Sequence, residues 1–349
     1  MLQNKTIKKY YCLIEHTGLQ YQHGGVGITD AEKIITGLGI QSIHFPNEDG
    51  HGIIAKWNRV KCLINQIFTL PKGAVVIFPF PMFANLSRWM LHVLRFRKSI
   101  KLVCFIHDID GLRDCDDKLL NDEINFLKRY HYFIVHNESM EDWLKTNVGN
   151  CFCSKLFLFD YLTEPRKTTH EKKNEIVFAG NLSKSGFLQK WDALPINQKT
   201  WQFHIYGQGY QSDFLSKKCI SYKGVYHPHQ LPSLLEGSFG LVWDGNEVET
   251  CAGKFGDYLR YNSPHKVSLY IISGLPIIVW EKAAIAKFVL KEKIGFTIGS
   301  LYEIQDKLDA LTENEYIDMR ENTKPIASKL SKGGFLKTAL DLLMEEIEG

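Results

Sequence analysis

"AVVIFPF" (Ala74–Phe80) and "KLVCFIH" (Lys101–His107) are near-continuous apolar runs without polar alternation. A strand with one face in water alternates apolar and polar residues, whereas a strand covered on both faces does not. Runs of the same kind recur at "YYCLIEH" (Tyr10–His16), "YFIVHN" (Tyr132–Asn137) and "KLFLF" (Lys155–Phe159). Segments with helical spacing, such as Asp30–Leu38 and Asp117–Arg129, lie between them. Strand and helix in alternation imply a parallel sheet with helices on both faces.

The rhythm breaks at "DYLTEPRKTTHEKKNE" (Asp160–Glu175), a polar, charged stretch with a Pro that reads as a linker. It restarts with "IVFAG" (Ile176–Gly180), "WQFHIYG" (Trp201–Gly207), "ISYKGV" (Ile220–Val225), "FGLVWDG" (Phe239–Gly245), "PIIVW" (Pro276–Trp280) and "GFTIG" (Gly295–Gly299). The expected fold class is α/β, with two tandem doubly wound, Rossmann-like domains. They span residues 1–160 and 176–325, with a linker at 161–175 and a C-terminal helix in 326–349. Ligands of such a pair belong in the cleft, because each sheet binds beyond the carboxyl ends of its strands.

Composition narrows the partners. A net charge of +3 is too small to indicate nucleic acid. No apolar run reaches the ~18 residues of a membrane span. The opening "MLQNKTIKK" has basic residues but no apolar core after them, so no signal peptide is expected. Eight scattered cysteines form no C-x-x-C pair and read as free thiols of a reducing cytoplasm. "RWMLHVLRFRK" (Arg88–Lys98) is apolar, aromatic and basic together. The favoured reading is a core-facing helix with a solvated basic end; the alternative is a helix lying on the inner face of an anionic membrane. Association with further copies of the chain is left open.

Strand ends carry the chemistry. After the first strand comes His23-Gly24-Gly25-Val26-Gly27-Ile28-Thr29-Asp30, read as a glycine-rich turn with Thr29 or Asp30 capping the next helix. The dinucleotide pattern G-x-G-x-x-G and the P-loop pattern are both missing there. "VCFIHDIDGLR" puts His107, Asp108, Asp110 and Arg113 past an apolar run, as a general base, as contacts to sugar hydroxyls, or as helix caps. Asn137 reads as a cap. In the second domain, "FAGNLSKSGFL" places Gly180, Asn181, Ser183 and Lys184 where amides and one cation can hold a phosphate. "IYGQG" offers Tyr206 to a nucleobase or to ordinary packing. In "NSPHKVSLYIISGLPIIVW" (Asn262–Trp280), Pro264 suits a first helical turn, followed by His265 and Lys266. A cation at a helix N-terminus costs about 0.3–1 kcal/mol, so Lys266 calls for an anion beside it.

"GNLSKSGFL", "YGQG", "GLVWDG", "FIHDIDGLR" and above all NSPHK-x-SLY-x₃-GLP resemble bacterial GT-B glycosyltransferases of the β-1,6-galactofuranosyltransferase kind. They are also similar to the streptococcal glucosyltransferases that extend N-acetylglucosamine on serine-rich adhesins. The resemblance implies a hexosyltransferase that moves galactofuranose or glucose from a UDP-sugar to a saccharide acceptor, lipid- or protein-linked, in surface glycan synthesis. The UDP-sugar is then a substrate, and no cofactor is implied. Carried over by position, Lys184 and Lys266 meet phosphates, with Asn181, Ser183 and His265 beside them. Tyr206 meets uracil, Asn262 the ribose–phosphate region, and the turn holding Gly25 and Gly27 the sugar or β-phosphate. Asp108 or His107 is the candidate base. Asp108-Ile109-Asp110 is formally D-x-D but lies in the acceptor lobe, so no metal site is expected. Two rivals use the same cleft: a nucleotide-sugar-binding regulator without turnover, and a non-hydrolysing epimerase.

Overall fold

The computed structural model describes residues 9–15, 23–45, 52–167, 172–194, 202–209 and 220–349. The first lobe holds β1 (Tyr10–Leu13), β2 (Gln41–Ile43), β3 (Val75–Phe80), β4 (Lys101–Ile106), β5 (Tyr132–Val135) and β6 (Phe152–Lys155). Its helices are α1 (His23–Gly37), α2 (Ile53–Thr69), α3 (Asn85–Leu94), α4 (Asp110–Asp114), α5 (Asp117–Leu127) and α6 (Glu138–Asn147). The second lobe holds β7 (Glu175–Ala179), β8 (Gln202–Tyr206), β9 (Ile220–Gly224), β10 (Phe239–Val242), β11 (Ile277–Trp280) and β12 (Gly295–Ile298). With them are α7 (Leu231–Leu234), α8 (His265–Ile272), α9 (Ala286–Lys291), α10 (Ile304–Ala310), α11 (Glu313–Leu330) and α12 (Gly334–Glu348).

Among the described residues each lobe is one six-stranded parallel sheet, ordered β2-β1-β3-β4-β5-β6 and β12-β11-β10-β7-β8-β9. The central strands β10 and β11 are buried along their whole length and β3 at every residue but Pro79, which is why their sequences lack alternation. α12 leaves the second lobe and returns to the first. The buried Asp160 carboxylate caps it, accepting from Phe335 N (3.1 Å) and Leu336 N (2.8 Å). Further along, Ala339 O accepts from Ser154 Oγ at 2.7 Å and Ile347 O from Lys101 Nζ at 2.8 Å.

Three local expectations change. The apolar run Lys155–Phe159 is not a strand: β6 ends at Lys155, and Phe157 takes φ +63°. Leu156 and Leu158 are apolar because they are buried, not because they pair. The glycine-rich turn is helix, since Gly24, Gly25 and Gly27 lie inside α1. Thr29 and Asp30 therefore cap nothing. Thr29 Oγ1 donates back to Val26 O (3.2 Å), and Asp30 is fully buried, accepting from Leu162 N (2.9 Å) beside His229 (3.0 Å). Thr17 and Gly18, from the same stretch, lie outside the described residues.

Candidate active site

The carboxyl ends of β1, β3, β4 and β5 and the segment Asn262–His265 enclose a cavity of about 340 Å³. Glu15, Gly27, His107, Asp108, Arg113 and Asn262 are among the residues that line it. It lies between the lobes, where two doubly wound sheets should bind a ligand.

Its first-lobe wall is acidic and knotted by one arginine. Arg113 reaches Asp108 (2.7 Å), Asp110 (2.7 Å) and Asp114 (2.9 Å). Neither Asp108 nor Asp110 is a helix cap. The α4 amides of Asp110 and Gly111 donate instead to Glu123, at 3.0 and 2.8 Å. Asp108 keeps 34% of its side chain open to the cleft. The surrounding protein mass pushes its carboxyl above the ordinary range, against the downward pull of Arg113, the Tyr258 hydroxyl and Lys184. Arg113 and Lys184 oppose that rise by favouring the charged form.

The His107 ring lies tilted 4.3 Å from Phe105. Burial, helped by the neighbouring His136, lowers it to about 3, so it is a neutral and very weakly basic imidazole. His136 is buried and lowered to about 4 by the same desolvation. Its Nε2 donates to Ile106 O (3.2 Å) and its Nδ1 accepts from Ser263 N (3.0 Å). Asn137 caps α6 as expected, accepting from Met140 N, and its Nδ2 donates to Ser263 Oγ at 3.1 Å. The strand end "VHN" is thus a dock for the NSPHK segment of the other lobe. A second tie lies nearby, where Tyr258 is buried in the first lobe's core and its hydroxyl accepts from Ile109 N (2.9 Å). Gly27 completes the approach: a Cβ there would stand 3.3 Å from the His265 ring.

The second lobe contributes Asn262–His265 to the cavity itself; its lysines and glycines stand at strand or helix ends outside that lining. Gly207 (φ +128°) lets its loop pass against Gly180, where a Cβ would fall 1.8 Å from Gly180 O. Most amides of the expected phosphate loop, Gly180, Asn181, Ser183 and Lys184, are engaged within the lobe. Gly180, Leu182, Ser183, Lys184 and Ser185 already donate to Tyr206 O, Gln208 O, Asn181 Oδ1, Asn181 O and Leu182 O. The exposed Lys184 ammonium, 5.0 Å over the Phe255 ring, is what this loop offers. Lys266 does have its anion: Asp244 Oδ1 lies 2.6 Å away, and the ammonium sits 4.7 Å over Phe178. Pro264 precedes α8 rather than opening it. Tyr206 is 2% exposed, and its hydroxyl accepts from Glu236 N (2.9 Å) and faces Leu234 O. That packing leaves no ring face for a base. Asn262 Oδ1 is buried in the cleft without a hydrogen-bond partner.

This cleft can be set beside known proteins. The description "Glucosyltransferase 3-like, N-terminal domain" matches residues 11–149, and "Glucosyltransferase 3-like, C-terminal domain" matches residues 176–342. The chain belongs to the glucosyltransferase 3-like family. The beta-1,6-galactofuranosyltransferase WbbI of Escherichia coli K12 is 34% identical over 283 residues, 78% of this chain and 80% of its own. Glucosyltransferase 3 of Streptococcus gordonii is 29% identical over 252 residues, 70% of this chain and 71% of its own. The fold is GT-B. Anabaena Alr3699/HepE, solved with UDP-glucose, superposes with a TM-score of 0.61 at 10% identity, covering 97% of this chain and 99% of that one. The family makes this chain a glycosyltransferase rather than a regulator or an epimerase.

Two features of the site were missed from sequence. Tyr258 lies in the long loop after β10, and nothing local marks it as a residue of the other lobe. Asp244 stands two residues past β10, and its pairing with Lys266 could have been suspected from the need for an anion beside that lysine.

Proposed function

We propose that this enzyme transfers a hexosyl group from a UDP-sugar to a hydroxyl of a saccharide acceptor, without a metal ion. The observation that carries this reading is the division of chemistry across the cleft, with lysines on one wall and a carboxylate on the other. Lys184, backed by Lys266, offsets the negative charge that develops on the leaving diphosphate. The Asn262 carboxamide supplies a polar end for a ribose or sugar hydroxyl. Asp108 accepts the acceptor's proton as general base. Its raised carboxyl favours that role, whereas an imidazole near 3 makes His107 a poor candidate. Glu15 and Asp30 are otherwise engaged: Glu15 takes Phe83 N and Ala84 N, and Asp30 takes Leu162 N. The formal D-x-D is held by the Arg113 guanidinium, which supports transfer without a divalent cation. The test is mass spectrometry of UDP-sugars incubated with candidate acceptors. The reading expects UDP and a glycosylated acceptor to appear together. Consumption of donor into an altered sugar nucleotide with no acceptor present would contradict it.

A further inference from the structure

The first lobe has a face that the cleft chemistry does not use. From Gly52 to His107 the chain carries nine Lys and Arg and no Asp or Glu. The remainder carries 33 Lys and Arg against 39 Asp and Glu, so the basic charge is concentrated here. The segment builds α2 and α3, neighbouring helices joined where Arg97 NH2 donates to Leu70 O (3.0 Å) at the end of α2. α2 faces the core through Leu63 and Ile67. Its opposite side shows Ile53, Trp57 (69% exposed), Val60, Ile64 and Phe68 (81%). Those positions follow i, i+4, i+7, i+11 and i+15, one stripe of a helix. α3 repeats the pattern. Met90, Leu91 and Leu94 are buried, while Trp89 (62%), Val93 and, just past its end, Phe96 (68%) are exposed. Exposed Lys56, Lys61, Arg95 and Lys98 flank these stripes. The core-facing reading of Arg88–Lys98 therefore accounts for one side of that helix only.

We propose that α2 and α3 form a docking surface for an anionic lipid bilayer, lying in its headgroup region with Trp57, Phe68, Trp89 and Phe96 inserted. Large apolar side chains rimmed by cations, with no acid among them, match such a surface in both chemistry and charge. A polyanion would use the cations and leave the apolar stripe in water. A second copy of the same face would bring like charges together. The site of transfer adjoins this face. Phe83 lines the cavity two residues before α3 begins, and Glu15, another lining residue, binds Phe83 N and Ala84 N. A docked enzyme would thus hold the acceptor side of its cleft near the membrane, where a lipid-linked saccharide lies; this last step rests on the transfer reading, and the docking itself does not.

The experiment is flotation of the full chain with vesicles, without donor or acceptor. Partition onto vesicles containing phosphatidylglycerol should exceed that onto pure phosphatidylcholine and should weaken as salt rises. Tryptophan emission should shift to the blue on binding. W57S together with W89S should lower partition about tenfold or more, since each ring removes a large buried apolar area. K56E, K61E and K98E together should do the same at low salt, at roughly fivefold per charge, and lose that effect at high salt. All five residues are exposed, and unchanged melting temperatures would confirm folded variants. Failure of the wild type to float, or equal partition of the variants, overturns the proposal. So does a wild-type oligomer that falls to monomer in W57S/W89S with no vesicle binding, which would make the face an interface between copies.

Discussion

The two walls of the cleft are built from the same βα units and end in opposite chemistry. In the first lobe the strand ends present two buried histidines of lowered basicity together with Asp108 and Asp110, and Arg113 holds the two carboxylates. In the second they present glycines that let loops pack closely, and two lysines. Under the proposed transfer reaction, one wall takes a proton from a neutral polyhydroxyl partner and the other holds an anion. The difference also lies in how each charge is held. Asp108 and Lys266 are ion-paired, whereas Lys184 is exposed over an aromatic ring.

The largest expected effect of breaking this contrast is at Asp108. Asp108→Asn should lower turnover about 10²–10⁴-fold, the usual share of a general base, with UDP affinity nearly unchanged. Steady-state kinetics with acceptor decide it, and turnover within a few-fold of wild type would remove Asp108 from the mechanism.

Next in size are the lysines. Loss of a charge-assisted contact costs ~1.5–3 kcal/mol, so Lys184→Ala should weaken UDP binding about 10–150-fold at constant melting temperature. Lys266→Ala should weaken binding and also lower the melting temperature, because it strands the Asp244 carboxylate. Calorimetry and thermal melts on both variants separate the two effects; equal melting temperatures would show that the Lys266–Asp244 pair has no structural share.

The tie between the walls comes third. His136→Ala leaves the Ser263 amide unpaired and should cost about 1–3 kcal/mol of stability near neutral pH. The native imidazole, lowered to about 4 by burial, stays neutral while the unfolded one, near 6.5, takes up a proton. Its stabilising share is therefore full above about 6.5 and is lost as pH falls toward 4. The gap in melting temperature between wild type and His136→Ala should narrow over that window, and a constant gap would contradict the assignment. The smallest effect expected is that of EDTA: turnover should not change, and loss restored by Mn²⁺ or Mg²⁺ would show that a carboxylate pair binds metal.

The architecture could be read from sequence because buried parallel strands are apolar throughout, and β3, β4, β10 and β11 stand out for that reason. β2, "QSI", escaped because a three-residue edge strand carries no such pattern. The stripe of α2 has helical period, but periodicity does not say whether an apolar face meets the core or the outside. Asp108, Lys184 and Lys266 were visible as polar residues at strand or helix ends. Their functional surroundings were not. Ser263 meets His136 across 127 residues and Tyr258 meets Ile109 across 149, and no local pattern encodes contacts of that span.

The central claim is that the second lobe binds the donor's diphosphate while the first supplies the base. Titration of UDP into Lys184→Ala and Asp108→Asn, side by side in one calorimeter, tests it most directly. The account predicts a loss of roughly tenfold or more in the first and a change within about twofold in the second. Equal losses, or a loss confined to Asp108→Asn, would contradict it.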